Sequence, residues 1–183
     1  MSKLISNKWW FFAGFIFVAA LSRLLPHPYN FTPIGGMALF AGGVLSGKRL
    51  FWILPLIAYY ISDLLVNNIL YASYFDSFVW TGHLFVYISL FAIIVFGKKL
   101  LKRITIGRLI IGSLGASTVF FLLTNFGVWL SSPMYSLNFE GLIACYGAAI
   151  PFFQNTLAGD AFYVTLLFGS YYWVTTTYPS LSL

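Results

Sequence analysis

Three charged side chains stand inside apolar runs: Arg23 in ALSRLLPHPYN, Asp63 in YYISDLLVNN and Asp160 in NTLAGDAFYV. At mid-membrane depth each such charge costs about 2.5–3.5 kcal/mol, so all three must face the protein interior and find partners. The chemistry open to them is pairing and polar binding. Arg23 with either acid makes an ion pair that locks two helices, which leaves the second aspartate for a solute. Hydroxyl, thiol and imidazole groups do not form a nucleophile–base constellation, and no His-Glu-x-x-His, P-loop or Gly-x-Gly-x-x-Gly signature occurs. The single Cys145 excludes an internal disulfide and a multi-cysteine metal site. His27 and His83 lack a third ligand. Neither an enzyme, a metal nor a cofactor is expected.

The elements that must position these groups belong in lipid. Of 183 residues, 60% are hydrophobic and only 8% charged, with a mean hydropathy of +0.88. A water-soluble domain carries about a quarter of its residues as charges. Six apolar segments read as spans: 8–25, 34–47, 50–70, 81–97, 109–131 and 155–175, the second short and glycine-rich. A further apolar stretch, 141–153, is too short to cross. It is expected as an interfacial helix before the last span.

The charges orient this bundle. The formal net charge of +6 comes from short clusters between apolar segments rather than from a stripe suited to nucleic acid. With the N-terminus cytoplasmic, nine of the ten basic residues fall on the cytoplasmic side, Arg23 being the exception. The expectation is an all-α, polytopic bundle of six transmembrane helices with both termini cytoplasmic, forming one domain over 1–183. Trp9, Trp10, Trp52, Trp80, Trp129 and Trp173 fall near predicted helix ends, as an interfacial belt requires. Ala38-x-x-x-Gly42 and Gly112-x-x-x-Ala116 suit close helix contacts.

In that topology Arg23, Asp63 and Asp160 share the outer half of the membrane. Most of the other polar side chains of the apolar segments, including His83 and Asn125, collect at the same level. The predicted site is an outward pocket of Arg23, Asp63, His83, Asn125 and Asp160, with His27 and Asn30 in its lid.

The passages ALSRLLPHPYNFTPIGGMALFAGG, LIAYYISDLL, FFLLTNFGVWL and AAIPFFQNTLAGDAFYVTLLFG are similar to a family of small bacterial integral-membrane proteins with a domain of unknown function. The layout in turn resembles the substrate-binding S components of energy-coupling factor (ECF) vitamin transporters. Phe31, Thr32, Pro33, Gly35, Leu39, Ala41 and Gly42 match the start of their second helix, and Gly159–Asp160 the entry to the last. The resemblance implies uptake of a vitamin-like micronutrient across the inner membrane. It also implies an ECF-type membrane partner with ATPases, and a pocket capped by the loops before the second and fourth helices. Pro26, Pro28 and Pro33 would stiffen the first of these loops. The strict Ala-x-x-x-Ala partner surface is absent from the first helix, which offers Ala13, Gly14, Ala19 and Ala20 instead. No cysteine stands where some relatives ligate cobalamin, although His83 lies in that region. The alternative is a non-catalytic accessory subunit of a larger membrane complex.

Overall fold

A computed structural model describes residues 2–47, 52–80 and 84–183. Among them are six α-helices and no strand: α1 Ser2–Leu21, α2 Ile34–Gly43, α3 Leu54–Leu65, α4 Leu84–Leu100, α5 Ile106–Ser131 and α6 Phe139–Thr177. A 3₁₀ turn, Ser22–Leu24, ends α1, and a π-turn, Val66–Leu70, prolongs α3. The all-α class is as predicted.

Local chemistry sets several boundaries. The Thr105 hydroxyl accepts from the Arg108 amide (3.4 Å) at the start of α5, and Asn138 accepts from the Gly141 amide (2.8 Å) at the start of α6. Pro55 sits in the first turn of α3, where a missing N–H leaves nothing unpaired. Helix α2, IGGMALFAGG, is apolar on every side, and such a helix belongs in the middle of a protein. Its residues from Ile34 to Gly42 are all buried. The other five helices enclose it.

Packing around α2 is close enough to require glycine. A Cβ at Gly42 would run into the backbone carbonyl of Ile94, so α2 and α4 cross nearly backbone on backbone. On another side Phe40 meets Phe168 edge-on at 5.3 Å, while Phe12 meets Tyr171 at 4.9 Å. Such aromatic pairs contribute about 0.5–1.5 kcal/mol each beyond area burial.

The helices alternate in direction. Lys8 Nζ donates to the Ser182 carbonyl (2.5 Å), joining the start of α1 to the C-terminal tail, and Lys98 Nζ lies 4.4 Å above the Trp52 ring. The basic residues near the ends of α1, α4 and α5 therefore gather at one end of the bundle. Arg23, Asp63 and the loop after α1 lie toward the other.

Two expectations about segments need correction. The sequence predicts a separate interfacial helix over 141–153, but α6 runs unbroken from Phe139 to Thr177 with Pro151 inside it. Contacts with α5 hold the helix on both sides of the proline. The Tyr146 hydroxyl donates to the Leu122 carbonyl (2.6 Å), and the Phe153 and Phe121 rings lie 4.6 Å apart. Proline is tolerated where neighbouring helices fix the segment in this way. The second correction is one of length: α2 ends at Gly43 and is about 15 Å long, half the ~30 Å thickness of a hydrocarbon core. By length and composition α5 is the one described helix apt to cross a membrane, while Ile34–Gly43 and Leu54–Leu70 are apolar but shorter.

Replacing Gly42 by leucine should force α2 off α4 and cost about 3 kcal/mol. The matched control is Gly14→Leu, since a Cβ at Gly14 meets nothing within 4 Å. Thermal unfolding in detergent should show a clear loss for the first and none for the second. Equal behaviour would refute the close crossing.

Candidate functional site

The residues predicted to share one pocket are sorted by the fold into two neighbouring groups. The first begins where α1 ends. Arg23, in the 3₁₀ turn, reaches α3 and donates through Nη1 to Ser62 Oγ (2.7 Å) and through Nη2 to Asp63 Oδ1 (3.0 Å). Its guanidinium lies 4.8 Å over the Tyr59 ring. Asp63 Oδ2 accepts from Asn67 Nδ2 at 3.2 Å. Both members of the ion pair are only 11% exposed at their side chains. Tyr59, Ser62, Asp63 and Asn67 follow helical spacing and present one face of α3 to the arginine. Tyr59 and Ser62 were missed from sequence, although that spacing from Asp63 could have revealed them.

The loop after Arg23 is rigid by construction. Pro26 and Pro28 fix their own φ angles, and Asn30 adopts φ 62°, a left-handed conformation that asparagine tolerates better than most residues. The Phe31 amide donates to the Pro28 carbonyl (3.0 Å). His27 Nδ1 is 2.6 Å from the Leu25 carbonyl; since a carbonyl only accepts, Nδ1 carries the proton and Nε2 is left to solvent. Asn155 Nδ2 donates to the Tyr29 carbonyl (3.0 Å), and Gly159 lies against the backbone of Phe31 and Thr32, so the loop is laid down on α6.

Between this loop and the end of α3 lies a cleft of about 370 Å³. Arg23, His27, Asn30 and Thr32 line it on the loop side, Val66 and Tyr71 on the α3 side. Three of the predicted site residues, Arg23, His27 and Asn30, thus meet at one hollow. Asp63 stands behind Arg23.

Asp160 belongs to the second group and does not line the cleft. It is buried (2% exposed) and serves the start of α2, where Pro33 supplies no capping side chain. Asp160 Oδ1 accepts from the Gly36 amide (3.2 Å), the Gly35 amide is also directed to the carboxylate, and Oδ2 accepts from Ser117 Oγ (2.6 Å). A Cβ at Gly35 would collide with the carboxylate. A further link joins the two groups. Ser22 gives its hydroxyl proton to the Ala19 carbonyl (2.6 Å), so the Tyr163 hydroxyl, 2.7 Å away, donates to Ser22.

Asn125 also stands apart: its amide donates to the Phe121 carbonyl of its own helix (2.8 Å). His83 lies outside the described residues. No group of three or more His, Cys, Asp or Glu among the described residues is placed to hold a metal ion.

Fold and site together define a helical protein with a cleft of mixed polar and apolar lining beside a nearly buried arginine–aspartate pair. The chain belongs to the family of unknown function DUF6580, whose pattern matches residues 3–181. No curated protein and no solved structure matches it.

The pair can be tested by a double-mutant cycle. Arg23→Met or Asp63→Leu alone strands a nearly buried charge and should destabilise the protein by about 3 kcal/mol. The double variant should recover most of that loss in thermal unfolding. Additive losses would show that the two side chains are not energetically coupled.

Proposed function

We propose that this chain is a multi-span protein of the bacterial inner membrane, with both termini cytoplasmic, that presents its cleft to solutes outside. In this reading it is the solute-binding component of an uptake system for a vitamin-like micronutrient. The observation that carries the proposal is the meeting of Arg23, His27 and Asn30 at one cleft, at the end of the bundle away from the other described basic residues. Two of the five N–H donors of Arg23 are held by Ser62 and Asp63, which fixes the planar guanidinium while others can reach a solute. Asp63 balances the charge, so a neutral or weakly anionic solute with several acceptor atoms fits better than a strong anion. The cleft volume falls in the range of small-molecule sites, roughly 300–1,000 Å³.

Membrane embedding is supported by the scarcity of charge, by α5, and by the separation of the basic end from the cleft end. The resemblance to S components supports the solute class and an ATPase-bearing partner, since this sequence carries no nucleotide-binding motif. Asp160 and Asn125 are left out of the binding set. Both have protein partners, and Asp160 is fully enclosed.

The accessory-subunit reading draws on one observation: the ion pair satisfies itself within the chain, as a structural lock does.

The test uses protein purified from its native membranes in mild detergent, with mass spectrometry of co-eluting small molecules. Asn30→Gly keeps the left-handed backbone and deletes the amide. Combined with His27→Ala, it should lower the bound molecule about tenfold at unchanged folded yield. A co-eluting solute insensitive to the double variant, or none at all beside a stable complex without an ATPase, would favour the accessory subunit.

A further inference from the structure

A second and larger hollow lies toward the opposite end of the molecule, between the first half of α5 and the last part of α6. Its volume is about 760 Å³. Ile106, Ile110 and Leu114 form one wall, and Leu157, Val164 and Phe168 the other. Between Leu157 and Tyr172 the groove follows α6 for about 22 Å, the depth of one leaflet of a ~30 Å hydrocarbon core together with its interface. Helices α5 and α6 are tied together farther along by the Tyr146–Leu122 and Phe121–Phe153 contacts, and beside the groove by the Ser117–Asp160 hydrogen bond. The opening is lined by carbon, apart from a few hydroxyl groups. Thr165 spends its hydroxyl on the Ala161 carbonyl (2.7 Å).

One end of this groove borders a basic stretch of the chain. Residues 104–106, which line it, are flanked by Lys102 and Arg103 on one side and by Arg108 on the other. Arg108 folds back so that Nη1 reaches the Arg103 carbonyl (3.4 Å), which gathers positive charge over the 103–108 turn. No acid answers it. All four acidic residues lie elsewhere: Asp63 and Asp160 in the contacts described above, Asp76 in the stretch after α3, and Glu140 in the first turn of α6 at the far end of that helix. An apolar slot of leaflet length with an unbalanced basic stretch at one end matches one chemistry, an acyl chain beneath an anionic headgroup.

We infer that the α5–α6 groove holds an anionic phospholipid of the cytoplasmic leaflet, its chain between Leu114 and Phe168 and its phosphate at Arg103 and Arg108. The inference rests on the membrane reading of the chain and not on the solute cleft. The lipid lies along the seam between the two helices and covers its apolar lining. Alkaline carbonate extraction of membranes tests embedding on its own, so a failure of that reading is told apart from a failure of the lipid site.

The site itself is tested by native mass spectrometry of the full chain, delipidated in detergent and titrated with phosphatidylglycerol or with phosphatidylcholine of identical chains. Phosphatidylglycerol should be retained about tenfold better. Arg103→Gln with Arg108→Gln should abolish this preference without removing residual lipid binding. A Cβ at Gly169 meets nothing within 4 Å, so Gly169→Leu places its side chain in the groove without a backbone clash. This variant should remain folded and lose both lipids. Equal retention of the two lipids by the native chain would overturn the proposal, as would indifference to Gly169→Leu. So would a dimer that excludes lipid and dissociates in that variant, which would assign the groove to a second copy of the chain.

Discussion

The fold depends on a carboxylate that caps a helix from outside its own chain segment. Helix α2 is enclosed on every side, and its first turn begins at Pro33 without a side chain able to receive the free amides. Buried amides left without an acceptor cost about 1–3 kcal/mol each. Asp160 supplies that acceptor from α6, and the partial positive charge at a helix start favours the carboxylate further. Ser117 of α5 completes the arrangement. Three helices are therefore fixed by one side chain, and Gly35 is required because no other residue leaves room for the oxygen atoms.

The cleft inherits its shape from this arrangement. The chain between α1 and α2 must reach Pro33 at the capped start of α2, and on the way it lies against Gly159, one residue before the cap. Its course is narrowed further by two prolines, a left-handed asparagine and the Asn155–Tyr29 hydrogen bond. Arg23, at the head of the same stretch, is held from the α3 side by Asp63 and Ser62. The loop thus has a fixed attachment at each end. Ordering it for a ligand would require little further loss of conformational freedom.

Much of this was legible in the residues, and the limits have physical causes. The cost of a charge in an apolar run announced that Arg23, Asp63 and Asp160 must be satisfied inside, and they are. Which acid pairs with Arg23 was not legible, because both lie at a similar height and only the position of α2 decides the matter. Its bare start claims Asp160. Asn125 misled for a different reason. An amide in a helix can donate to the carbonyl four residues back, so a polar side chain at that depth need not seek a partner on another helix. The stretch 141–153 read as a separate helix because it is too short to cross alone, whereas the contacts with α5 that carry α6 through Pro151 are long-range. The helical face of Tyr59, Ser62, Asp63 and Asn67 was available in the spacing.

Asn155, Gly159, Asp160 and Tyr163 occupy only about two turns of α6, and between them they engage the loop after α1, the start of α2 and the end of α1. All four contacts are keyed to a single rotational phase of that helix. A slip of one residue turns a helix by about 100° and would break the loop anchor, the close approach, the cap and the serine link together. The mouth of the cleft is therefore set in one step, as a key seats in a lock, and intermediate widths have nothing to hold them.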